Sequence, residues 1–157
     1  MAFDEIIFAN EDESFMLEAL KEAEAASNEG EVPVGAVIVK DGEIIARAHN
    51  RVERDSSSSA HAEMLAIEKA EKALGGKWLI GADMYVTLEP CSMCAGALVL
   101  SRLQRLVIGA ADPKTGACGS MLNIAANDKL NHRIEIKRGV LEEECSQLLK
   151  EFFKAKR

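Results

Sequence analysis

Two short runs hold the residues best able to do chemistry: His61-Ala62-Glu63 and Pro90-Cys91-Ser92-Met93-Cys94. A C-x-x-C pair alone fits a zinc site, a redox pair or coincidence, and its place between a strand and a helix suits both chemistries. A histidine breaks the tie. His61, Cys91 and Cys94 make three ligands, the count for a catalytic zinc that keeps its fourth position for water. Both runs fall at expected helix N-termini, whose positive ends favour thiolates and a metal-bound hydroxide. Glu63 can reach the bound water without being a ligand and pass its proton to a substrate nitrogen. Zinc lowers the pKa of bound water from ~15.7 toward ~7, so a nucleophile exists at neutral pH. A structural zinc would need a fourth protein ligand, for which His132, Cys118 and Cys145 are the candidates. Cys145 falls on an apolar helical face and Cys118 in a glycine-containing loop, where it packs behind the site. His49 ends a strand without an evident partner.

The elements that must position these residues can be read from periodicity. Ser14 precedes a helical stripe of Phe15, Ala19, Leu20, Ala23 and Ala26, which places a cap at Ser14 and an end at Gly30. Val34 to Lys40 and Glu43 to Asn50 read as strands joined by Asp41-Gly42, a two-residue hairpin signal. A polar loop leads to a helix from near His61 to about Ala73, stopped by Gly75-Gly76. Asp83 to Leu88 is a third strand, and Pro90 is expected to open a helix running to about Ser101. Arg105 to Gly109 is a fourth strand. A loop over 112–120 and a short helical turn lead to a fifth strand, Ile134 to Arg138. The last helix carries Leu141, Cys145, Leu148 and Phe152 on one face. This order implies an α/β fold: a sheet with parallel parts, covered on both faces and opened by one antiparallel hairpin.

Composition narrows the class. The 157 residues suit a single domain spanning 1–157 with a real core. Apolar residues make up 48% and charged residues 29%, which excludes a disordered chain. The apolar run from Ala95 to Leu100 is too short to span a bilayer. Asp4 and Glu5, ahead of a short Ile6-Ile7-Phe8 patch, do not resemble a signal peptide, so a cytoplasmic location is expected. Four cysteines there point to metal or redox chemistry before disulfides. The net charge of −7 disfavours a nucleic-acid partner only if charge is spread evenly. It is not. Residues 1–78 hold 17 acids and 8 bases, whereas 79–157 hold 9 acids and 11 bases. Seven bases lie between Arg102 and Arg138, and Lys154, Lys156 and Arg157 follow.

The two metal-ligand runs together resemble the zinc deaminases of nucleobases. The likeness extends through Glu31-Val32-Pro33-Val34-Gly35-Ala36-Val37, Tyr85 to Cys91, Cys94-Ala95-Gly96-Ala97, Lys114-Thr115-Gly116, Gly119-Ser120, Asn131-His132-Arg133 and Phe152-Phe153. Over nearly the whole chain these strings are similar to bacterial tRNA-specific adenosine deaminases. The resemblance implies a cytidine-deaminase-like three-layer α/β/α sandwich around a five-stranded mixed sheet. It implies conversion of the wobble adenosine of a tRNA anticodon to inosine. It also implies one zinc per subunit held by His61, Cys91 and Cys94, with Glu63 as proton shuttle. Asn50 is similar to the residue that hydrogen-bonds the flipped base, and Pro33, Val34 and Leu88 to the pocket wall. Asp112 and Lys114 match loop positions facing the anticodon stem-loop. Ala111 stands where some relatives carry a basic residue. Family members are homodimers with the RNA site built across two subunits.

Two other readings share part of this pattern. A free-base deaminase acting on guanine or cytosine would use the same zinc chemistry and need no basic surface. A zinc-stabilised binding module would need four protein ligands and no Glu63. Glu89, next to the ligands, reads as a residue that orders the loop.

Overall fold

The structure is a computed structural model and describes residues 10–156; the Ile6-Ile7-Phe8 patch and Arg157 lie outside them. The elements follow in the order α1 (Glu11–Asn28), β1 (Gly35–Lys40), β2 (Glu43–His49), α2 (Ala62–Leu74), β3 (Ala82–Leu88), α3 (Ser92–Leu100), β4 (Arg105–Ala110), β5 (Glu135–Arg138) and α4 (Glu142–Ala155). The five strands form one sheet in the order β2-β1-β3-β4-β5. β1 runs antiparallel to both β2 and β3, while β3, β4 and β5 are parallel.

The central strands β1, β3 and β4 alternate between two cores. Ile38, Met84, Val86, Leu106 and Ile108 face Ala66, Ile67 and Ala70 of α2 and Leu98 and Val99 of α3. The residues between them, Val37, Val39, Tyr85 and Val107, face Met16 and Leu20 of α1 and Cys145 and Leu148 of α4. The period of two along a strand buried on both sides produces this three-layer α/β/α arrangement. Two glycines let helices close on the sheet: a Cβ at Gly35 would run into the α1 backbone at Ala19 and Ala23, and one at Gly109 into the Cys145 side chain.

Local chemistry explains the boundaries, including three that differ from expectation. Asp41 and Gly42 both hold positive φ (52° and 78°), as a tight primed hairpin requires. Asn10, not Ser14, caps α1; its side chain accepts the Glu13 N–H at 3.0 Å. The acidic turn Glu11-Asp12-Glu13 that follows suits the positive end of a helix better than a start at Ser14. Pro90 precedes α3 rather than opening it, because Cys91 is the N-cap and Pro90 instead offers its carbonyl to the Ala117 N–H. The short helical turn expected after Ser120 is absent among the described residues; that segment makes turns and one bridge, Cys118 to Asn123.

The register brings one edge of the sheet together. Gly35 pairs with His49, Ala36 with Val86, and Leu88 with Ala110. The start of β1 and the ends of β2, β3 and β4 therefore meet on one side, and the loops leaving them share a common space. At the opposite edge a polar cluster pins α1 to the sheet. Asp12 accepts the Tyr85 hydroxyl at 2.6 Å and Arg105 Nη2 at 2.8 Å, and pairs with Lys137.

Candidate active site

Two helix N-termini converge at that shared edge. His61 and Cys91 are the N-caps of α2 and α3, each with an extended backbone that leaves its side chain free to point away from the helix. Neither side chain makes a capping hydrogen bond, so both are available for other chemistry. His61 Nδ1 lies 3.5 Å from Cys94 Sγ and 3.7 Å from Cys91 Sγ. All three donor atoms fall within 4.8 Å of one another, a group able to hold a metal ion.

The electrostatics divide the two cysteines: Cys91 is favoured as a thiolate, while the Cys91 sulfur and burial push the Cys94 thiol well above its usual value. The Cys94 thiol and, after it, His61 stabilise the Cys91 thiolate, bringing its pKa down to about 3. The Cys91 sulfur in turn holds the His61 pKa above its usual value. Glu63 sits in the first turn of α2 and is 4% exposed. Burial pushes its carboxyl above the usual range.

The three donor groups stand over a cavity of about 720 Å³, on which His61, Glu63, Cys91, Val34, Asn50, Leu88 and Asp112 all open. Cys94 is buried beneath. One expected pocket-wall residue stands outside the lining. Pro33 is buried, but a tight turn closed by the Val34 N–H on the Val32 carbonyl aims Val32 and Val34 at the cavity and turns Pro33 away. Lys114, expected on a loop facing the anticodon, is exposed with its N–H on Asp112 Oδ1, and Thr115 of the same turn borders the cavity. The Asn50 side chain bridges two rims, donating to the Val32 carbonyl at 3.3 Å and accepting the Val52 N–H at 3.4 Å. One amide hydrogen and one lone pair remain for a substrate.

Sequence reasoning missed Glu31, Val32, Val52, Glu53 and Lys156 on the lining, and it assigned Phe152 to the helix's packed face although it borders the cavity with Phe153. The Phe152-Phe153 pair next to basic residues was the available signal. Other expectations resolve as follows. His132 bonds the Leu103 carbonyl, Cys145 lies in the opposite core, and Cys118 is buried with its thiol toward the Pro90 carbonyl. None joins the His61 group among the described residues. His49 does have partners: its two ring nitrogens meet Glu22 at 3.0 Å and Glu29 at 3.1 Å.

Glu89 orders the loop after β4. Its oxygens accept the N–H groups of Asp112, Cys118 and Ser120, the Ser120 hydroxyl and Arg138 Nη2. Burial raises its pKa, but the Ser120 hydroxyl and the three backbone N–H groups outweigh burial and leave it below the usual value. The basic strip is therefore less available than its sequence suggests: Arg138 is bound to Glu89, and Arg105 and Lys137 to Asp12.

The sequence pattern of the MafB19-like deaminases matches residues 9–157. A tRNA-specific adenosine deaminase of Bacillus subtilis strain 168 is 56% identical over 144 residues, covering 92% of this chain and 89% of its own length. A solved structure from work on A-to-I editing by tRNA:A34 deaminases at the wobble position of transfer RNA superposes with a TM-score of 0.83 at 45% identity, covering 87% of this chain and 99% of that one. A guanine deaminase from Nitrosomonas europaea is more distant, at 25% identity and a TM-score of 0.79, over 94% of this chain and 86% of its own.

Proposed function

This chain belongs to the MafB19-like deaminases, within the branch of the tRNA-specific adenosine deaminases, and from that premise we infer that it hydrolyses the wobble adenosine of a tRNA anticodon to inosine and releases ammonia. The observation that carries the reading is a His61–Cys91–Cys94 triad with buried Glu63 on the wall of a cavity of about 720 Å³, roomier than a single base needs. The donor set fits zinc. Tetrahedral bonds of ~2.3 Å to sulfur and ~2.0–2.1 Å to nitrogen put nitrogen and sulfur about 3.6 Å apart, against 3.5 and 3.7 Å here. When bound, zinc activates a water molecule as the nucleophile.

The chain's own residues do the rest. The overall reaction adds water at the amine-bearing ring carbon and expels ammonia, so protons must move from water to the ring nitrogen and the leaving amine. Glu63 is the group with the position and burial to carry them. The remaining amide hydrogen and lone pair of Asn50 read the base edge, while Val34 and Leu88 flank its ring. Asp112 and Thr115 border the mouth. Lys114, exposed beside them, meets RNA phosphate rather than the base.

We further propose that the chain works as one deaminase domain in a cytoplasmic homodimer. No helix among the described residues is long and apolar enough to cross a membrane. Met93 and Leu100 lie seven residues apart on one face of α3 and are exposed, as are Met121, Leu122 and Leu130 elsewhere, apolar side chains that a second copy could cover. Light scattering should give twice the chain mass; a monomer at micromolar concentration contradicts the dimer. Incubation with an anticodon stem-loop, free guanine and free cytosine separates the substrates. Inosine from the stem-loop alone supports the tRNA reading, and ammonia from a free base alone overturns it.

A further inference from the structure

Glu31 follows the turn that ends α1 and is 1% exposed. No ion pair to it occurs among the described residues. A carboxyl group this buried is retained only where its oxygens are hydrogen-bonded, and both are: Oε1 accepts the Glu53 N–H at 3.0 Å and Oε2 the Arg54 N–H at 2.7 Å. These two amides belong to the polar loop between β2 and α2, whose side chains at 53 and 54 are exposed. The loop carries Val52 and Glu53 onto the cavity wall and leads into His61. Asn50 ties the same loop from the other side through the Val52 N–H. Across the cavity, Glu89 does the same for the loop at 112–120.

We propose that Glu31 is a positioning residue of the base pocket: its carboxylate clamps the backbone at Glu53 and Arg54 so that Val52 and Asn50 present a preset wall to the substrate. The loop is thereby shaped before substrate arrives, which lowers the ordering cost of binding. The role assigned to Glu31 is this clamp on two backbone donors, not proton transfer. The Gln side chain keeps one acceptor and turns an N–H against the other amide, so Glu31→Gln opens half the clamp while preserving volume. The assignment rests on the deaminase reading above.

The test has two arms. Hydrogen exchange on the zinc-loaded parent reads the clamp without activity: the amides of Glu53 and Arg54 should exchange at least tenfold more slowly than those of Ser58 and Ser59 at the exposed tip, and at least one of the two should lose that protection in Glu31→Gln. Kinetics on an anticodon stem-loop read its use. Glu31→Gln should raise KM about tenfold with kcat within about threefold and zinc content unchanged, whereas Arg54→Ala, which keeps the backbone donor and lies off the cavity wall, should not. Uniformly fast exchange at 51–59 in the parent overturns the clamp, as does a Glu31→Gln enzyme with parental KM. A parent that protects both amides but deaminates nothing leaves the clamp standing and overturns the functional reading instead.

Discussion

Arg138, at the end of β5, donates to Glu89 at 2.8 Å and to the Cys118 carbonyl at 2.7 Å, so a basic residue of the apparent RNA strip is a strut of the active-site loop. Replacing Glu89 with Gln removes the charge opposite Arg138 and turns an amide N–H toward the Cys118 and Ser120 N–H groups. The expected cost is about 2–4 kcal/mol of unfolding free energy, read from urea unfolding.

The same pairing limits the electrostatics of RNA binding. With Arg105, Lys137 and Arg138 held internally, only a few cations remain for phosphate. Three or four such contacts give a log–log salt slope of about −2 to −3. Lys114→Ala should reduce that slope by just under one, measured by anisotropy of a labelled stem-loop. Binding that is flat from low to high salt contradicts the RNA surface.

Asp12 couples stability to acid. Arg105, against the opposing effect of burial, and then Lys137 and Tyr85 hold its carboxyl well below the ordinary 3.8. A pKa lowered by folding contributes stability that is complete above the unfolded value and drains away as pH falls through the folded one. The parent should therefore lose stability as pH drops below about 4. Asp12→Asn should be weaker at pH 7 by about 2–3 kcal/mol and show a shallower loss between pH 4 and pH 2, followed by thermal unfolding across the series.

The four cysteines should separate by reactivity. Burial pushes Cys118 and Cys145 up to about 12, so almost none of either is thiolate at neutral pH. Iodoacetamide should leave both unlabelled in the folded, zinc-loaded protein and label all four once it is unfolded. Chelation should open Cys91 first, since Cys94 is buried and Cys91 only partly so.

The sheet and its covering helices were legible because burial on both faces imposes a strict alternation, and because Asp41-Gly42 and Gly75 mark turns that few other residues allow. The metal group was legible because His61, Cys91 and Cys94 sit at two helix starts, where short spacing already implies convergence. The rims were not. Pro33 and Val34 are neighbours, and only the turn between them decides which faces the cavity. Phe152 fits the apolar stripe of α4 as well as it fits the cavity mouth. Glu31 and His49 were opaque for a different reason. Their partners lie 20 or more residues away in the chain, and a lone charge in a sequence carries no sign of what it will meet. Charge counting failed likewise, because it cannot separate a cation facing solvent from one that ties β4 to α1.

The central claim is that Glu63 moves the protons of a hydrolytic deamination on a tRNA anticodon. The direct measurement is inosine formed and ammonia released from an anticodon stem-loop by the parent and by Glu63→Gln, with zinc content determined on both. The account predicts one ammonia per inosine for the parent. For the variant it predicts about one zinc per chain and a rate at least ~10²–10⁴-fold lower. A zinc-loaded variant that deaminates within a few-fold of the parent, or a zinc-loaded parent that makes no inosine, contradicts it.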